Sequence, residues 1–148
     1  MLKKILHTEN DFGPTIARLF AGVVMFPHGA QKALGWFGGN GFSGTVDFMT
    51  QNLGLPWIAA VLVILGEFLG ALGLIVGAGT RLAAFGFVSI MTGAIFMAHL
   101  QYGFFMNWYG NQQGEGFEYH LLMIGLALVA LVKGGGALSV DRAIEDKL

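Results

Sequence analysis

The sequence predicts an all-α integral membrane protein: four transmembrane helices in a bundle, both termini cytoplasmic, and a short surface helix in the first outer loop. Three observations carry this. Hydrophobic residues make up 55% of the 148-residue chain, while Asp, Glu, Lys and Arg together reach 11%, against roughly 25% in a soluble domain whose surface must be solvated. The apolar residues gather in four long runs. These runs are continuous, whereas the strands of a membrane β-barrel alternate apolar and polar residues. Mean hydropathy is +0.66 and the net charge is −1, which argues against a soluble globule, a disordered chain and a nucleic-acid binder with its basic footprint. The chain has no cysteine, so disulfides, iron–sulfur clusters and thiol chemistry of its own are excluded. Redox work would need a cofactor or a partner.

The four spans form one domain over residues 1–148. The first, residues 14–34, reads PTIARLFAGVVMFPHGAQKAL. As a cleaved leader it would carry Glu9, Asp11 and Arg18 in its charged region and Pro27 and His28 in its apolar core, so it is expected to be a retained span. The loop 36–56 opens with Trp36, Phe37 and Phe42, aromatics suited to the membrane interface. Within it, 44–53 places Val46, Met49 and Leu53 on one face of a short helix lying along the surface. The second span, 57–78, is the most apolar, and Gly79–Thr80 turns it tightly into the third, 81–105. After a polar, Gly-punctuated loop, the fourth runs over 115–133. Each then supplies about 20 residues, enough for roughly 30 Å of hydrocarbon.

Four spans put both termini and the 79–80 turn on one side. Lys3, Lys4, Arg18, Arg81, Lys133, Arg142 and Lys147 collect there, against Lys32 alone on the other. Seven against one predicts that side to be cytoplasmic.

Ionisable side chains inside spans are costly and mark candidate sites. Counted from the cytoplasmic ends at about 1.5 Å per residue, Glu67, His120, His28 and Glu118 lie roughly 16–22 Å up, and His99 and Lys32 near 27 Å. Arg18 is at about 6 Å. Glu67 interrupts the purest span and needs a proton or a partner. Partners are available on the first span, where Arg18, Gly22, Met25, Gly29 and Lys32 fall within about 40° at 100° per residue. Two roles fit Glu67: proton transfer or headgroup binding, and a buried ion pair that fixes packing. Arg18, His28, Lys32, Glu67, His99 and Glu118 together are the candidate intramembrane polar site.

His28, His99 and His120 come from three spans at similar height, which keeps a metal or haem as a weak alternative. Glu118 and His120, about 200° apart on one helix, cannot face the same point. Gly22 and Gly29, with the small-xxx-small pairs Gly66/Gly70 and Gly73/Gly77, predict close helix packing. The seven methionines are expected to pack toward lipid rather than bind copper.

The runs ARLFAGVVMFPHGAQKALGWFGG (17–39), GEFLGALGLIVGAGTRLAA (66–84) and GGGALSVDRAI (134–144) resemble the DoxX family of small bacterial and archaeal membrane proteins. Arg18 and the His-Gly-x-x-Lys turn of His28, Gly29 and Lys32 match its first span. Glu67, Gly73, Gly77, Thr80 and Arg81 match its second, and Glu118, Ser139 and Asp141 its closing segment.

The resemblance implies a four-helix bundle in a prokaryotic plasma (inner) membrane. It also implies a small subunit of, or accessory to, a quinone-linked oxidoreductase or oxidative-stress membrane complex. Quinone is the implied cofactor, and the lipid bilayer, a membrane or redox protein and a second copy of the chain are the implied partners, with no nucleic acid. No catalytic residue set transfers, and the relatives that handle thiols directly use cysteines this chain lacks. A proton-coupled transporter or channel acting as an oligomer and a non-catalytic membrane scaffold remain open.

Overall fold

The computed structural model describes residues 6–148; Lys3 and Lys4, counted above for orientation, lie outside them. The described residues form six α-helices and no strand. Helix α1 is Phe12–Leu34, α2 Gly41–Gln51, α3 Trp57–Val76, α4 Thr80–Ala94, α5 Glu118–Lys133 and α6 Val140–Glu145. A π-helical turn at Ile95–His99 and a 3₁₀ turn at Leu100–Tyr102 extend α4. In sequence around the bundle, α1 packs on α3, α3 on α4, α4 on α5 and α5 back on α1, which closes a four-helix ring. Helix α2 lies across the ends of α1 and α3, burying Val46 and Met49 while Phe42 and Phe48 stay exposed.

Local chemistry sets the boundaries. The Asp11 carboxylate accepts from the Gly13 amide at 2.9 Å and caps α1 three residues ahead of Pro14. Gly77, at φ +72°, ends α3, and both its amide and that of Ala78 return to the Gly73 carbonyl at 2.8 and 2.9 Å. Helix α5 begins at Glu118 rather than 115, because the amides of Phe117 and Glu118 donate to the carbonyls of Gly103 and Phe104. The loop has taken the donors that a longer helix would use. At 16 residues α5 is about 24 Å long.

Among the described residues, two helices are long and apolar enough to cross a membrane: Trp57–Val76, with hydropathy 2.5, and Thr80–Tyr102, with hydropathy 1.7. Only 28% and 22% of their apolar windows are buried, which separates them from the mostly buried core helix of a soluble protein. The distribution of side-chain size agrees. The interior is rich in alanine, with Ala21, Ala71, Ala84, Ala127 and Ala130 inaccessible or nearly so, while Leu62, Leu69, Phe85, Phe96 and Leu122 point outward. Large apolar residues outside and small ones inside suit helices that associate by close packing in lipid.

The predicted packing glycines fall on two interfaces. A Cβ on Gly22 would lie 2.9 Å from the Ala71 carbonyl oxygen, and one on Gly29 would lie 2.6 Å from the Phe68 Cα, so both press α1 onto α3 backbone. Gly66, Gly70 and Gly73 instead receive Ile90, Phe87 and Ala83 of α4, and Gly77 serves the turn. The methionine expectation is corrected in part: Met97 is exposed, but Met25, Met49, Met91 and Met123 are buried, since a flexible thioether fills the irregular gaps that alanine-rich helices leave.

Candidate functional site

Polar groups collect at both ends of the bundle. At the end bearing the α3–α4 turn, Arg18 is 1% exposed. Its Nε donates to the Gly135 carbonyl at 2.6 Å, Nη1 to those of Leu74 and Ile75, each at 2.7 Å, and Nη2 to that of Leu138. Asp141 accepts from the amides of Gly79 and Thr80 at 2.7 and 2.8 Å, which satisfies the free donors at the start of α4. Ser139 caps α6 by accepting from the Arg142 amide. Arg18 and Asp141 thus tie the segment after α5 to the α3–α4 hairpin, and Arg18 does not reach Glu67.

The opposite end holds a cavity of about 520 Å³ framed by α1, α2, α3, the end of α4 and the start of α5. Its polar lining includes His28, Lys32, Glu67, Ser89, His99, Tyr119 and His120, with Glu115 near the loop. Lys32 Nζ donates to Glu67 Oε2 at 2.6 Å, with side-chain exposures of 27% and 5%. His28 precedes Lys32 by one turn, and its ring centroid is 6.0 Å from that of Tyr119. The Tyr119 hydroxyl donates to Met25 Sδ at 3.2 Å. The rings of His99 and His120 lie 4.1 Å apart with a 44° tilt, and His99 Nδ1 pairs with the Glu115 carbonyl at 2.9 Å. His120 is 7% exposed, and its Nδ1 has no hydrogen-bond partner. The π turn seats His99: its wider turn carries residue 99 over the first turn of α5.

Of the residues singled out from sequence, His28, Lys32, Glu67 and His99 are brought together on this cavity. His120 joins them. Glu118 turns away, and its Oε1 accepts from the Met106 amide and the Trp108 indole, both at 3.0 Å. Of the three histidines weighed as metal ligands, His99 and His120 lie against each other at a tilt, and among the described residues no group of three or more His, Cys, Asp or Glu is placed to hold an ion. Sequence reading missed Tyr119, because only one of the adjacent residues 118–120 was expected to face inward. Its signal is a phenol one residue from a buried histidine, within the arc of a helix that a narrow cavity edge can share. The role of Asp141 was also missed, although a Ser-x-Asp motif at a chain reversal is a capping signal.

Chemically, the cavity presents an ammonium, a phenol and three imidazoles within walls otherwise made of residues such as Met91, Ile90 and Val63. These groups can donate to and accept from a small polar head. The Lys32–Glu67 pair cancels its own charge, and the Glu115 carboxylate is engaged by the Asn107 amide at 2.7 Å. A few convergent polar groups in an apolar concavity are the usual makings of a small-molecule site.

Comparison with known proteins identifies the family. The model of the DoxX family matches residues 13–100, a stretch that holds Arg18, His28, Lys32, Glu67 and His99. The chain is 28% identical over 136 residues to the protein named "Putative oxidoreductase CatD" of Bacillus subtilis (strain 168), covering 92% of this chain and 90% of that one. It is also 28% identical over 137 residues to "Inner membrane protein YqjF" of Escherichia coli (strain K12), covering 93% and 95%. No solved structure matches. With more than half its length matched by the family model, the chain belongs to the DoxX family.

Proposed function

We propose that this protein is a multi-pass inner-membrane component of a quinone-linked oxidoreductase system, and that its cavity receives the quinone headgroup. In this reading α1, α3, extended α4 and α5 all span the bilayer, with the termini and the α3–α4 turn cytoplasmic and the cavity in the outer half. The excess of Lys and Arg on one side supports the orientation. The names of the two relatives, "Putative oxidoreductase CatD" and "Inner membrane protein YqjF", support the setting. The single observation that carries the function is the Lys32–Glu67 pair and the His28, Tyr119, His99 and His120 rings facing one apolar cavity. Carbonyl and hydroxyl oxygens of a quinone or quinol need both donors and acceptors at membrane depth.

Gentle purification followed by mass spectrometry of retained small molecules and proteins tests this. Quinone retained at near-equal amounts, and reduced by Glu67→Gln, is the expected result. A protein that retains neither quinone nor a redox partner, and that instead supports solute uptake in liposomes abolished by Glu67→Gln, would overturn it in favour of a transporter.

A further inference from the structure

The cavity wall is not complete. Near their connecting turn α3 and α4 are locked, with Gly66, Gly70 and Gly73 receiving Ile90, Phe87 and Ala83. Toward the other end the locking stops. Gly93 has open space where a Cβ would sit, and Ser89, Gly93 and Met97, one turn apart along α4, all line the cavity. Ser89 and Met97 are also exposed on the outer surface of the bundle. The cavity therefore opens sideways along α4, opposite Val63 of α3 and beside Phe48 of α2, which is itself half exposed. Ser89 is eight residues from Arg81, about 12 Å along the helix, so the opening reaches toward mid-bilayer.

Two features of the interior restrict what fits. Inside the cavity Lys32 and Glu67 neutralise each other, and the remaining carboxylate, Glu115, is exposed at the loop edge and accepts from the Asn107 amide, so an ionic head in the interior would meet charges already paired with each other. The surroundings are soft: Met25, Met49, Met91, Met97 and Met106 line the space with the adjoining His99 and His120 rings, and thioethers favour contact with aromatic rings. The buried, unpartnered His120 ring nitrogen supplies unmet hydrogen-bonding capacity in that wall. At about 520 Å³ the space suits a ring head rather than a long chain.

We infer that the cavity takes its ligand sideways from the bilayer, through the gap between α3 and the π-turned end of α4. The ligand is a membrane-borne molecule with a neutral, hydrogen-bonding ring head and an apolar tail that stays in the gap. The inference rests on the proposed spanning arrangement and headgroup site, and it adds the route and the tail. Gly93 is the position that keeps room for the tail, and His120 meets the head.

The test places the protein in nanodiscs and measures occupancy by native mass spectrometry against a polyprenyl-tailed quinone and a tail-less quinone of the same ring. Gly93→Leu narrows the gap, His120→Leu removes the ring nitrogens, and Gly125→Leu, at an exposed position on α5 with open space around it, is the control. Wild type and the control bind both quinones. Gly93→Leu weakens the tailed quinone at least tenfold and the tail-less one less than threefold, while His120→Leu weakens both by about tenfold. Equal effects of Gly93→Leu on both, or none on either, would overturn the lateral route and leave the headgroup site standing. If wild type binds neither quinone, the headgroup reading fails and this inference fails with it.

Discussion

Lys32 and Glu67, 35 residues apart and on different helices, meet at 2.6 Å beside a cavity that is otherwise largely apolar. Their meeting depends on Gly29, one turn before Lys32, whose missing side chain lets α1 lie on the α3 backbone at Glu67 and Phe68. A carboxylate in the purest apolar span is therefore neither stranded nor free. It is neutralised by a neighbour whose own side chain is partly open to the cavity.

Removing one partner of this pair leaves a buried charge, so Lys32→Met and Glu67→Leu should each destabilise the protein by about 3 kcal/mol, the lower end for broken buried pairs because Lys32 is not fully enclosed. The double variant should recover much of that loss. Thermal unfolding in one detergent, read as a double-mutant cycle, checks it; strictly additive losses would show that the two charges do not interact.

Arg18 is held by four backbone carbonyls, two on α3 and two in the segment after α5. Arg18→Ala should cost about 3 kcal/mol or more, since several carbonyls lose a charged donor at once. Limited proteolysis should then cut at 134–139 well before the rest of the chain. Cleavage at an unchanged rate would show that Arg18 does not retain the tail.

Gly29→Ala should destabilise by roughly 1–3 kcal/mol, because its Cβ meets helix backbone that cannot rotate aside. Gly125→Ala, facing open space, should be neutral or slightly stabilising through helix propensity. Melting temperatures of the two variants in the same detergent give the comparison.

Asp141→Ala leaves two amides at the start of α4 without their acceptor. A loss of about 1–2 kcal/mol is expected, as for other helix caps. Faster hydrogen exchange at Gly79 and Thr80, with little change along α1, would mark the effect as local.

The absence of native cysteine makes the proposed orientation directly measurable. A Trp108→Cys variant should react with a membrane-impermeant maleimide in intact cells, and Lys147→Cys only after the membrane is opened. The reverse pattern would invert the topology.

Much of this molecule is legible one residue at a time. The helical class, the helix positions to within a few residues, and the small-residue faces follow from apolar run length and periodicity, because helix geometry converts spacing into direction without reference to the rest of the chain. The face containing Arg18, Gly22, Met25, Gly29 and Lys32 is such a case, and α1 uses it against α3. Which cation meets Glu67 is a different kind of question. Periodicity ranks Arg18 and Lys32 alike; only the antiparallel register of α1 against α3 sends Lys32 to Glu67 and Arg18 to the carbonyls of Leu74 and Ile75. The same holds for His99, whose position depends on a π turn no spacing rule announces, and for methionines that pack inward because small neighbours leave gaps. The scarcity of charge is therefore a property of the sequence, but the pairing of the few charges that remain is decided by tertiary structure, since ion pairs and cavities arise between helices, where local periodicity carries no information about register.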